Sequence, residues 1–161
     1  MTVIVTKPQF NVRDELNSLK GQHKNAWGPA LSVQSNNSPS VSSNTWTKIP
    51  FNSVQYDTSK MWSSSGFYCV PQTPGFYLCT LNATPTSACP VVIAIRKNAS
   101  EEWGTIGWNA INTAGQSTST IIYCNGITDY LSGWVYFKDL TTTISQHSWQ
   151  TTMNIVMLRG V

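Results

Sequence analysis

Charge is what this sequence has least of. Only 11% of its 161 residues are Asp, Glu, Lys or Arg, against roughly 25% in an ordinary soluble domain. A net charge of +3, with no basic cluster larger than Arg96-Lys97, is too weak a field to argue for nucleic acid. No apolar run approaches the length of a membrane-crossing helix, so no membrane partner is expected. The opening Met1–Pro8 carries too short an apolar run for a signal peptide, and no small-residue cleavage site follows. Titratable groups are scarce as well. Histidine is confined to His23 and His147, and the acids are Asp14, Glu15, Asp57, Glu101, Glu102, Asp129 and Asp139. There is no Gly-x-Ser-x-Gly elbow, phosphate loop or dinucleotide fingerprint. We therefore expect no enzyme, no catalytic residue and no cofactor. The cysteines Cys69, Cys79, Cys89 and Cys124 show neither C-x-x-C nor zinc spacing, so no metal site is expected. Each lies in or beside an apolar run, as buried thiols do.

What fills the chain instead is Ser, Thr and Asn, with seven Trp and six Tyr. Hydroxyls and amides solvate a surface without charge and favour strands and turns over helices. Three regions separate by composition. Residues 1–31 form an arm, 32–45 a Ser/Asn-rich linker with almost nothing to bury, and 46–161 a body. The arm holds the one convincing helix, about 11–20. Asn11 suits the N-cap, Asp14 and Glu15 the positive dipole end, and Lys20 precedes the terminating Gly21. Val12, Leu16 and Leu19 make one narrow apolar stripe, and Phe10, Trp27 and Leu31 continue that character. So short a helix needs a surface to lie on, either the chain's own body or another protein. The polar linker favours another protein, and the arm residues Phe10, Val12, Leu16, Leu19 and Trp27 are the expected contacts.

The body reads as strands over 46–54, 66–70, 76–83, 90–97, 103–111, 118–124, 130–138 and 151–158. The breakers include Pro71–Gly75, Thr84-Pro85, Lys97–Ser100 and Asn125-Gly126. Glu101-Glu102 falls in what reads as a solvated connecting loop. With no helical period between the strands, the class is all-β, a sandwich, jelly roll or barrel. Two strands are apolar on both faces. Tyr130, Trp134 and Tyr136 share one parity while Leu131, Val135 and Phe137 share the other, and 151–158 ends Met153-Asn-Ile-Val-Met-Leu158. A two-layer sandwich should alternate. A second apolar face asks for a second burial surface, and self-association supplies one most simply.

Phe51, Asp57, Trp62, Cys69, Gly75, Tyr77, Cys79 and Leu81 stand at the spacing of the C1q-like signature: Phe, Asn/Asp, aromatic, Phe, then Gly-x-Tyr-x-Phe-x-aromatic. Cys69, Cys79 and Leu81 replace aromatics. Over residues 46–161 the chain resembles the C1q/TNF-like family. The resemblance implies a jelly-roll head assembled as a homotrimer, with both termini on one side. It also implies that Tyr77, Cys79 and Leu81 point into the core. Leu78, Thr80, Thr152, Asn154 and Val156 would then face the threefold axis. Gly75 would occupy a positive-φ turn after Pro74. With Cys69 and Cys79 in place of two core rings beneath one sheet, either neighbours such as Phe67 refill the volume or the pair forms a disulfide. Some family members bind calcium on the axis, and Asp129 occupies a turn like the family's Gly-Asp; a structural turn aspartate is the expected role.

The arm segment Lys7–Lys20 resembles the opening of many tailed-phage virion proteins. Together the two resemblances imply a virion structural protein, made in the host cytoplasm and carried on the outer surface of the capsid. As a trimeric decoration (cement) protein, its arms would staple neighbouring major capsid subunits. The alternative is a tail receptor-binding head whose rings Trp62, Trp103, Trp108 and Trp149 stack on a host-surface glycan, or which binds a surface protein.

Overall fold

The computed structural model describes residues 17, 28–112, 115–145 and 150–160. The arm's Phe10, Val12, Leu16, Leu19 and Trp27, and both histidines, lie outside them.

In chain order the strands are β1 (Ala30–Gln34), β2 (Ser40–Val41), β3 (Thr47–Lys48), β4 (Ser53–Asp57), β5 (Trp62–Ser63) and β6 (Tyr68–Cys69). There follow β7 (Gly75–Ala83), β8 (Cys89–Lys97), β9 (Glu101–Asn112), β10 (Gln116–Cys124), β11 (Leu131–Phe137), β12 (Thr142–Thr143) and β13 (Thr152–Gly160). They form a five-stranded sheet ordered β10-β7-β13-β1-β4 and a six-stranded sheet ordered β5-β6-β11-β8-β9, with β3 also on β11. A small β12-β2 ribbon completes the set.

The two large sheets face one another across a single core, as alternation requires. Leu31, Val33, Tyr77, Cys79, Leu81, Ile122, Met153 and Ile155 point inward from the first sheet. Val91, Ile93, Ile95, Leu131, Val135 and Phe137 meet them from the second. Gly133 lets β11 approach closely: a Cβ there would stand 2.9 Å from Leu81 Cδ1 and 3.1 Å from Phe51 Cε2. β1 starts opposite Val156, and β13 runs on only to Gly160, opposite Gly75. The described chain therefore begins and ends at the same end of the sheet.

Several expectations are corrected here. Residues 32–45 are not a linker. Ser32, Val33 and Gln34 belong to β1, which is interior to its sheet, and Val41 in β2 is buried. Leu31, assigned to the arm, is fully buried core. The stretch Leu31-Ser-Val-Gln34 alternates apolar and polar, which is enough for a half-buried strand despite its polar composition. The head therefore starts at about Pro29. Glu101 and Glu102 lie in β9, paired with Lys97 and Arg96, rather than in a loop. The span 46–54 is broken into β3 and the start of β4.

Gly75 is glycine for a different reason from the one expected. It is the first residue of β7 and does not take a positive φ; among the described glycines Gly126 does, at 74°. A Cβ on Gly75 would stand 2.4 Å from the carbonyl oxygen of Arg159 on β13. Close backbone approach, not turn geometry, excludes a side chain there.

Cys69 and Cys79 are both free thiols. Cys69 sits on β6 and Cys79 on β7, in opposite sheets rather than beneath one sheet. Burial, and then neighbouring Cys79 and Cys124, push the Cys69 thiol well above its usual range. Burial and Cys124 do the same to Cys79.

Candidate functional site

The residues of β7, β10 and β13 that do not enter the core share the outer face of the five-stranded sheet. Register sorts them into rows. One row reads Ile121–Leu78–Val156–Ala30 across β10, β7, β13 and β1. The next reads Ser119–Thr80–Asn154–Ser32–Tyr56, and the third Ser117–Asn82–Thr152–Gln34–Ser53. None of these residues carries a charge. All five expected trimer-facing residues, Leu78, Thr80, Thr152, Asn154 and Val156, therefore lie together on one face.

The face is graded along the strands. At the end where the described chain starts and stops it is apolar. Ile121 is 53% exposed, Val156 40% and Leu158 53%, and Phe76 stacks obliquely on Tyr123 with ring centroids 5.5 Å apart. Toward the other end it becomes a field of uncharged hydrogen-bonding groups. Ser32 Oγ donates to Asn154 Oδ1 at 2.7 Å, Asn154 Nδ2 to Thr80 Oγ1 at 3.4 Å, and Asn82 Nδ2 to Thr152 Oγ1 at 3.0 Å. Exposed Arg159 stands opposite Phe76 at this apolar end, but covering the three rows with another protein surface desolvates no ion, and burying each large apolar side chain fully contributes about 1.5–3 kcal/mol.

The second apolar face of β11 lies elsewhere, and the structure corrects its reading as a sign of self-association. Trp134 and Tyr136 are on the outside of the six-stranded sheet, where the chain covers them itself. The Arg96 guanidinium lies 4.6 Å from the ring centroids of both Trp46 and Trp134, and Lys48 Nζ 5.7 Å from those of Trp134 and Tyr68. Trp46 meets Tyr136 at 5.6 Å, and Tyr68 meets Tyr130 at 5.1 Å. This stack of rings and cations roofs over Val92 and Ala94, the β8 partners of Tyr136 and Trp134. It was missed because Arg96 and Lys48 lie far from Trp134 in sequence.

The signature residues are structural. Phe51 is fully buried and meets half-buried Trp62 edge-on at 6.2 Å, so that ring forms part of the core's rim. Asp57 closes the β4–β5 turn: Oδ1 accepts the N–H groups of Ser59 and Met61 at 3.2 and 3.0 Å, and Oδ2 that of Trp62 at 2.8 Å. Tyr77 is buried, and its hydroxyl donates to Thr73 O at 2.6 Å. Burial first, then Cys124 and Cys69, push its pKa up to about 12. The side chains of Trp103 and Trp108, and all of Trp149, lie outside the described residues.

Asp129 is likewise engaged within its own turn. Oδ1 accepts from Asn98 Nδ2 at 3.0 Å, and Oδ2 from Asn125 N at 2.8 Å and from the Lys97 ammonium at 3.0 Å. Burial pushes its pKa up, but these hydrogen bonds and the Lys97 charge outweigh it and hold the carboxyl below its usual value. Among the described residues no group of three His, Cys, Asp or Glu is arranged to hold a metal.

Sandwich topology, strand order and the signature's placement can now be set against known structures. No family model matches the chain, and no curated protein matches it in sequence. Solved structures do match. The globular domain of zebrafish complement 1qA protein superposes with a TM-score of 0.60 at 13% identity, covering 83% of this chain and 98% of that one. The fold is the C1q/TNF-like jelly roll. Murine APRIL gives a TM-score of 0.62 at 12% identity over 81% of this chain and 98% of its own. The PRD1 vertex protein P5 gives 0.62 at 18% identity over 83% and 99%. Across this C1q/TNF-like fold, then, the likeness takes in nearly the whole of each neighbour. At these identities it speaks to fold alone.

Proposed function

We propose that this chain is a virion structural protein, a homotrimeric capsid decoration (cement) protein. It works by binding and not by catalysis. The observation that carries the reading is the outer face of the five-stranded sheet: three charge-free rows, apolar at one end. Its apolar end, where Ile121, Val156 and Leu158 are exposed, is the kind of patch that marks an interaction surface. Three copies packed on it around an axis would bury it and place their arms at one end, because the described chain starts and stops at that end. The likeness of the head to a vertex protein supports a place in a virion.

Three arms on one base can engage neighbouring coat subunits together, and such multivalency raises avidity far above that of one helix. Phe10, Val12, Leu16, Leu19 and Trp27 are the residues assigned to that contact, with the major capsid protein as partner and the outer shell as location. The test is a binding assay on assembled shells. Full-length protein should co-sediment with shells in copies numbering in the hundreds, and Leu16→Asp/Leu19→Asp should abolish this while leaving the trimer intact. Binding of wild-type protein only at the tail, in a few copies, would instead support the receptor-binding alternative.

A further inference from the structure

β4 ends the five-stranded sheet, and one of its two edges has no ladder partner among the described residues. Natural sheets blunt such an edge with lysine, proline or an inward-pointing charge. Ser53-Val-Gln-Tyr-Asp57 has none of these. Its one charge, Asp57, is turned into its own loop by three backbone N–H groups. The bulge between Ser32 and Val33 shifts the β1–β4 register, yet Val54 stays 46% and Tyr56 50% exposed. An edge of this kind templates another strand.

We infer that Thr2-Val-Ile-Val-Thr6 of the same molecule adds to β4 as a sixth strand of that sheet. Three observations select this occupant. It is the one five-residue run in the sequence made wholly of β-branched residues, the type that best fits a pleated strand. Pro8, which lacks an N–H, follows at once and would end a ladder there. The chain also joins the head beside β4: Ala30 N donates to Thr58 Oγ1 at 2.8 Å, and Thr58 N to Ala30 O at 2.9 Å. Residues 7–27 reach at most roughly 70 Å, ample to return along β4 and short enough to hold the segment at high effective concentration. The arm would then be anchored at both ends, and the helical stripe between them presented as a loop.

Amide hydrogen exchange on the full-length protein tests this. Val3→Pro/Val5→Pro removes two donors and the strand conformation without touching the head. Exchange in Ser53–Asp57 should accelerate at least tenfold relative to wild type, with β7 and β13 unchanged. In a second variant, Tyr56→Lys, the amides of residues 2–6 should accelerate similarly. Equal β4 exchange in wild type and the proline variant overturns the inference. If fast in both, the edge is bare; if slow in both, another copy or partner covers it.

Discussion

Asn154→Asp separates folding of the head from its assembly. Asn154 sits mid-face on β13, accepting from Ser32 Oγ and donating to Thr80 Oγ1. Aspartate keeps the shape and the Ser32 hydrogen bond, and it gives up the donor in a contact of 3.4 Å, a loss of under about 1 kcal/mol. The isolated head should therefore stay folded. Around a threefold axis the substitution places three carboxylates on converging faces. At separations of roughly 10 Å and an effective dielectric near 20, each pair repels by about 1.7 kcal/mol, so the trimer loses about 5 kcal/mol before any desolvation cost is added. Since about 1.4 kcal/mol is tenfold in an equilibrium constant, association should weaken more than a thousandfold. Sedimentation velocity at low salt, pH 7, should show monomer with an unchanged circular dichroism spectrum. Lowering the pH below about 4 should restore the trimer by neutralising the carboxylates, and 1 M salt should restore it in part. A variant that remains trimeric at pH 7 across a dilution series would refute the assignment of this face.

Three further outcomes follow from particular residues. Asp57→Ala leaves the N–H groups of Ser59, Met61 and Trp62 without their acceptor and should cost about 2–3 kcal/mol in denaturant unfolding; a loss below about 0.5 kcal/mol would contradict the role given to the signature aspartate. The Asp129 carboxyl is held below its usual pKa in the folded state, so its contribution is full above about pH 4 and disappears as the pH falls through the folded value. The stability gap between wild type and Asp129→Asn should accordingly be largest near neutrality and close in acid, and a gap independent of pH would contradict this. All four cysteines are free and buried, so unreduced protein should yield four titratable thiols in denaturant and react slowly when native; fewer than four would restore a disulfide.

Much of the head was legible from pattern. The resemblance placed Tyr77, Cys79 and Leu81 of Gly75–Ala83 inward, and alternation along the strand then put Leu78 and Thr80 outward. The spacing from Phe51 to Leu81 carried the architecture even with three rings replaced. What local pattern could not show was which surface lies opposite. β1 looked like linker because Ser and Gln occupy its outer face, and only its position between β13 and β4 makes Leu31 and Val33 core. The second face of β11 looked like an interface because Arg96 and Lys48, which cover it, come from other strands. Cys69 and Cys79 looked like neighbours under one sheet because spacing along a chain does not say which sheet a strand joins.

The central claim is that three copies of this chain close on the outer face of the five-stranded sheet. Native mass spectrometry of the purified full-length protein measures it directly. The account predicts one species at three times the 17.8 kDa chain mass, persisting on dilution and dissociating with Asn154→Asp. A wild-type protein found at 17.8 kDa under the same conditions would contradict it.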